Sequence, residues 1–190
     1  MKLNELVRGA FKKRKATDYI LYLSIIFGGI GLDQLTKWLA VEYLKPVRDV
    51  PLWDGVLHLH YATNDGAAFG MLDNARWVFI TFSVLAIVAL SLYLFLGHAQ
   101  GRLYEISIAM IIAGGIGNMI DRIALGEVID FIYFKLINFA IFNGADSFVC
   151  VGAGLLVVAL VREIIAEGRA EKERRERSIS ESAHKEDGEE

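Results

Sequence analysis

The sequence predicts a mainly α membrane protein of four transmembrane helices with a small external sheet. Hydrophobic residues make up 54% of the 190, and the mean hydropathy is +0.40 although 23% are charged. Those figures do not fit a soluble globule. The 43 charges are segregated: residues 1–18 hold 8, residues 162–190 hold 17, and only 18 fall in the 143 residues between. Finally, crossing about 30 Å of hydrocarbon takes about 20 apolar residues as a helix, and four stretches qualify: Tyr19–Leu44, Trp77–Leu96, Leu103–Leu125 and Asp146–Ile165. The chain therefore divides into a basic arm (1–18), a membrane domain (19–165) and a charged tail (166–190) that is disordered or a helical extension. The net charge of −3 is a sum of +4 in the arm, −4 in the middle and −3 in the tail, so it gives no reason to expect a nucleic-acid partner.

Taken in order, the first span is too long for the apolar core of a cleaved leader and carries Asp33 and Lys37 where a small-residue cleavage site would belong, so it is expected to stay. Basic residues set orientation. The arm, Arg102 and the tail together hold 14 Lys and Arg, whereas Lys45, Arg48, Arg76 and Lys135 are the 4 on the opposite side. Both termini are thus expected in the cytoplasm, with segments 45–76 and 126–145 outside. Segment 45–76 contains the alternating run Val56-Leu57-His58-Leu59-His60-Tyr61, a strand that puts Leu57, Leu59 and Tyr61 on one face and both histidines on the other. Such a pair can chelate a metal, but with no third ligand nearby the histidines are expected to face solvent. Gly28-Gly29-Ile30-Gly31 and Gly114-Gly115-Ile116-Gly117 are expected to let helix backbones approach closely. Gly126 is expected to stop the third span. The lone cysteine, Cys150, cannot form an internal disulfide and is expected to be a buried small hydrophobe.

Ionisable residues inside spans are costly and mark functional candidates. At 1.5 Å per residue Asp33 and Lys37 lie roughly 21 and 27 Å across the membrane, and Asn118, Asp121 and Arg122 roughly 22 to 28 Å. Asn64, Asp65, Asp130 and Asn143 are external by topology, and Asp146 stands at the mouth of the fourth span. The unusual polar residues therefore collect at one level. Asp33 and Lys37, four apart with the acid first, suit a structural ion pair. The turn holding Asn118, Asp121 and Arg122 can grip an external loop, and Asn64-Asp65-Gly66-Ala67-Ala68-Phe69-Gly70 suits a substrate-facing edge. Asp146, close to a helix start, could also be a cap. Two aspartates in a poorly hydrated site share one proton and can act as base and acid together. A serine or cysteine nucleophile has no visible partner here. Magnesium held by Asp121, Asp130 and Asp146 is the nearer rival, and a proton-coupled carrier, with acids spread through the membrane's depth, is the main non-enzymatic one.

Five segments in order, Asp33-Gln34-Leu35-Thr36-Lys37, Asn64 with Gly66-Ala67-Ala68-Phe69-Gly70, Gly114 to Arg122, Val128-Ile129-Asp130-Phe131 and Phe142-Asn143-Gly144-Ala145-Asp146, resemble bacterial lipoprotein signal peptidase, also called signal peptidase II. The resemblance spans about residues 19–165. It implies a four-helix aspartic peptidase of the bacterial inner membrane with an external β-cradle and a short periplasmic helix. The implied substrate is a prolipoprotein carrying a diacylglyceryl-modified cysteine, cut on the amino side of that cysteine and blocked by globomycin-type peptides. Asp130 and Asp146 match the catalytic dyad. Asn64, Gly66, Asn118, Asp121, Arg122 and Asn143 match substrate-facing or dyad-supporting positions, and Asp33 and Lys37 the polar pair of the first helix. No metal or other cofactor is implied, the other partners are membrane lipids, and a monomer is expected.

Overall fold

The structure is a computed structural model that describes residues 15–65, 76–97 and 101–186. It contains four long helices and a three-stranded antiparallel sheet. Helix α1 (Ala16–Leu39) continues through a π-helical turn, Ala40–Leu44. After it come β1 (Asp49–Trp53), β2 (Leu57–Asn64), α2 (Arg76–Phe95), α3 (Arg102–Ala124), β3 (Val128–Phe134) and α4 (Gly144–Glu186). All four helices are long and apolar enough to cross a membrane. The predicted spans agree with them to within a few residues at the ends bounded by loops, and α4 runs on well beyond Ile165. Among the described residues outside the spans, the short helix is a 3-10 turn, Lys135–Ile137. Gly66 lies outside the described residues.

Large apolar side chains point outward along the whole bundle, among them Phe27, Leu32, Phe82, Leu85 and Ile164. That inversion is what a lipid-facing surface requires. Cys150 is exposed on the same kind of surface, contrary to the burial expected of it. Its helix is apolar on every side at this level, so an apolar run could not tell a core-facing position from a lipid-facing one. The interior is built around α3, which packs on each of the other three helices and most extensively on α4. Tyr22, Ile26, Leu94, Ile108, Ala109 and Ile112 form the core away from the sheet. At that end Arg102 bridges Asp18 of α1 (3.0 Å) and the buried Glu105 (3.1 Å).

Small residues permit the close helix contacts. A Cβ on Gly114 would lie 2.3 Å from the Ala145 carbonyl oxygen, and one on Gly117 would lie 2.5 Å from Asp33 Oδ2. Gly29 fits the expected close approach, since its Cβ would lie 2.9 Å from Ala113 Cβ, but Gly28 and Gly31 depart from it and face open space. Alanine at Gly114 or Gly117 is therefore expected to lower stability by about 1–3 kcal/mol through overpacking, while alanine at Gly28 or Gly31 leaves it unchanged or raises it slightly. Thermal unfolding of the four variants in one detergent checks the contrast.

The sheet has the order β1-β2-β3. Between Leu59, opposite Ile132, and Ala62, opposite Asp130, β2 carries one extra residue. Beyond this bulge Asn64 is opposite Val128, so the end of β2 runs beside the start of β3. The sheet packs on the end of α1 through Tyr61, Ile129 and Phe131 against Ala40 and Leu44. One histidine departs from expectation: His58 is buried. Its Nδ1 donates to Asp49 Oδ2 (2.8 Å), because Nε2 accepts the Gly55 N–H (3.3 Å). The β1–β2 turn thus closes over the face that period-two alternation left to solvent. His60, more exposed, donates to the other Asp49 oxygen (3.0 Å), and the two imidazoles hold the Asp49 carboxyl below its ordinary range.

Candidate active site

At the sheet end of the bundle the polar residues of three helices and two strands meet. Helix α3 ends at Ala124, and Gly126 follows with φ +89°, the left-handed conformation that stops a helix and that glycine adopts without strain. The chain then enters β3, which carries Asp130 beside α3. Phe142 bridges back to β3 through its carbonyl, which accepts N–H bonds from Phe131 (3.0 Å) and Ile132 (2.8 Å). That return brings Asn143, the N-cap of α4, against Asp130.

Asn143 is fully buried and ties the two candidate acids together. Its Nδ2 donates to Asp130 Oδ1 (2.7 Å) and to Asn118 Oδ1 (3.0 Å), and its Oδ1 accepts the Asp146 N–H (3.0 Å). In return Asp146 Oδ2 accepts the Asn143 N–H (3.2 Å). The two residues thus form a reciprocal capping box, three apart, at the start of α4. The cap is only part of the role of Asp146, because its other oxygen accepts from Asn118 Nδ2 at 2.7 Å. Asn64 Nδ2 reaches Asp130 Oδ2 from β2 at 3.4 Å. Asp130 is buried while Asp146 is half-buried, so the open side of the pair is at Asp146. Burial and the nearby Asp146 charge push the Asp130 carboxyl up to about 7, against opposing hydrogen bonds from Asn143 and Asn64.

Two further aspartates hold the backbone beside these acids. Asp33 Oδ1 accepts the N–H of Ala145, the residue before Asp146, at 2.7 Å. Asp121 Oδ2 accepts the N–H of Ile129, the residue before Asp130, at 3.2 Å. Lys37 lies between them, 2.9 Å from each carboxylate, and donates to Asn118 Oδ1 at 3.0 Å. All three side chains are at most 3% exposed. The Asp33–Lys37 pair expected from spacing is present, and it is one half of a triad that anchors both acid-bearing segments. A buried charge needs such pairing, since an uncompensated one costs several kcal/mol.

Gln34 joins the triad as a fourth member and is not among the candidates named from sequence. Its Nε2 lies within hydrogen-bond distance of Asp121 Oδ1 (3.0 Å), Asp33 Oδ2 (3.2 Å) and the Gly117 carbonyl (3.3 Å). A side-chain amide inside an apolar span is a signal in itself and could have found it. Arg122 sits over the Phe79 ring of α2, 5.2 Å from its centre, within electrostatic reach of Asp146, Asp130 and Asp121. Both Asp121 oxygens are committed, to Lys37, Gln34 and the Ile129 N–H, and so are not free for a metal shared with the other two acids. Among the described residues no group of three His, Cys, Asp or Glu side chains could hold an ion. Ser147 Oγ donates to the Asn143 carbonyl within α4 (2.9 Å), and no general base is assigned to it.

The family described as Signal peptidase (SPase) II matches residues 25–162, a stretch that includes every member of this site. The lipoprotein signal peptidase of Halalkalibacterium halodurans is 40% identical over 158 residues, covering 82% of this chain and 97% of that one. That of Caldanaerobacter subterraneus subsp. tengcongensis is 47% identical over 127 residues, covering 67% and 86%. A bacterial membrane enzyme solved by the in meso method at 2.3 Å resolution superposes with a TM-score of 0.70 at 31% identity, covering 76% of this chain and 89% of that one. With four apolar helices, a three-stranded sheet and a match over most of its length, this chain belongs to the signal peptidase II family of membrane peptidases.

Proposed function

We propose that the protein is an aspartic endopeptidase that removes signal peptides from diacylglyceryl-modified prolipoproteins, cutting on the amino side of the lipidated cysteine. The observation that carries this reading is Asn143, whose side chain and backbone hydrogen-bond both carboxylates. In the proposed orientation both termini are cytoplasmic and the site lies at the outer interface, where a substrate held by its own signal helix and lipid arrives sideways. Asp130, the more buried acid, holds the shared proton. Asp146, on the open side, is ionised and takes a proton from water as the water oxygen attacks the scissile carbonyl carbon. Asp130 then protonates the cysteine nitrogen as the C–N bond breaks, giving a free carboxylic acid and a free amine. The carboxylates can exchange roles in the next turnover. Asn64, Asn118 and Arg122 orient the substrate backbone and the acids, and the loop containing Gly66 forms an edge of the site.

Purified enzyme in lipid nanodiscs, given a precursor with and without the diacylglyceryl group, tests the reading. Cleavage of the lipidated form alone, at the bond before the cysteine by mass, and its loss on adding globomycin are expected; equal cleavage of both forms would contradict the substrate assignment. The activity should also fall as pH rises through about 7, because Asp130 then loses the proton that the leaving amine needs. A pH profile of kcat/KM that is flat from 6 to 8 would remove Asp130 from that role.

A further inference from the structure

A cavity of about 330 Å³ opens between the end of α1 and the sheet. Ala40, Tyr43 and Leu44 of the π-helical turn form one wall, and each strand contributes one residue to the other: Val50, Leu59 and Phe131. The volume is at the low end for small-molecule sites, and the lining is hydrocarbon apart from Tyr43 and Thr36. Thr36 Oγ1 is spent on its own helix, donating within reach of the Leu32 (3.0 Å) and Asp33 (2.9 Å) carbonyls. A polar ligand would find little to bond there, whereas a chain of methylenes would fill it at no polar cost.

Two features say where such a chain comes from. The mouth is continuous with the lipid-facing side of α1, through exposed Leu35, Trp38, Leu39 and Tyr43. Trp38 and Tyr43 pack edge to face at 6.4 Å, the kind of aromatic pair that settles at headgroup level. Beyond the mouth, Lys45 follows Leu44 and Arg48 stands two residues before Val50, both exposed. The Lys45 ammonium lies over the Tyr61 ring, 5.6 Å from its centre. The acids on this rim are Glu42 and Asp49, and Asp49 is already engaged by His58 and His60.

We infer that this pocket holds one acyl chain of a bilayer phospholipid whose phosphate is met by Lys45 and Arg48. The two cations favour a phospholipid over the uncharged diacylglyceryl group of the substrate, since basic residues at a membrane surface attract anionic headgroups. The inference rests on the membrane placement of the chain and not on its peptidase chemistry, so either can fail without the other.

Phosphatidylglycerol carrying a diazirine in one acyl chain, photolysed with the full-length protein in phosphatidylcholine nanodiscs, tests it. Labels are expected on the Leu39–Leu44 peptide and on β3, about tenfold above those given by a diacylglycerol with the same diazirine chain. Val50→Trp, which fills the pocket, should reduce these labels about tenfold while leaving those on lipid-facing Leu85 and Val88 unchanged. Lys45→Glu with Arg48→Glu should abolish the preference for phosphatidylglycerol and needs no change in the pocket itself. Pocket labelling no higher than at Leu85 and Val88, or equal labelling by the two probes in the wild type, would overturn the inference. So would displacement of the label by lipidated precursor at enzyme-stoichiometric amounts, which would assign the cavity to the substrate.

Discussion

Asp130→Asn is expected to lower cleavage of lipidated precursor by at least about 10³-fold, because the amide can neither hold the shared proton nor release it to the leaving amine. The same substitution is expected to stabilise the fold at high pH. Asp130 has its carboxyl raised to about 7 in the folded protein, whereas an unfolded aspartate titrates near 4. Between these values the folded state binds more protons, so the contribution of Asp130 to stability is fully present below about pH 4 and is lost as pH rises through about 7. Asparagine carries no charge to bury and should remove that loss. Unfolding in one detergent at pH 5 and pH 8 checks both halves: the wild type should lose more stability over the interval than the variant. An inactive variant with the wild-type pH dependence would mean that Asp130 is not the residue bearing the raised carboxyl.

Lys37→Met is expected to have the largest effect on stability, about 3–5 kcal/mol, because it leaves the buried carboxylates of Asp33 and Asp121 facing each other without their shared cation. Activity should fall with it even in the folded fraction, since these two acids hold the N–H groups beside Asp146 and Asp130. Adding Asp33→Asn to Lys37→Met removes one unpaired charge while the asparagine oxygen can still accept the Ala145 N–H. The double variant is therefore expected to be more stable than the single one, a coupling that a cycle of unfolding measurements reads directly. A Lys37→Met protein as stable as wild type would contradict the anchoring role.

The four spans were legible because a 20-residue apolar run has few other meanings, and the gathering of polar residues at one end of the bundle was legible from helix rise together with the order of the spans. Sequence also carried the Asp33–Lys37 pair, the stop at Gly126 and the close approach at Gly114 and Gly117. It could not carry the second use of Asp33, because its partner is the backbone N–H of Ala145, and every non-proline residue has one. For the same reason the sequence leaves Asp121 open as a metal ligand, whereas in the fold its oxygens are taken by Lys37, Gln34 and the Ile129 N–H. The exposure of Cys150 and the burial of His58 share a different cause. Each depends on which neighbour covers a face, a lipid-facing side of α4 in one case and the β1–β2 turn in the other, and neither hydropathy nor period-two alternation encodes that. Gln34 was legible in principle, as a polar group in a span, but beside Asp33 and Lys37 it carried no charge to draw notice.

Lipidated-precursor cleavage in excess chelator by the wild type, Asp130→Asn, Asp146→Asn and the double variant decides whether Asp130 and Asp146 act as one unit on water. The wild type should keep its rate, and each single variant should be as inactive as the double, since residues acting as a unit are not additive. Near-normal cleavage by either single variant, or a wild-type rate lost to chelator, would contradict it.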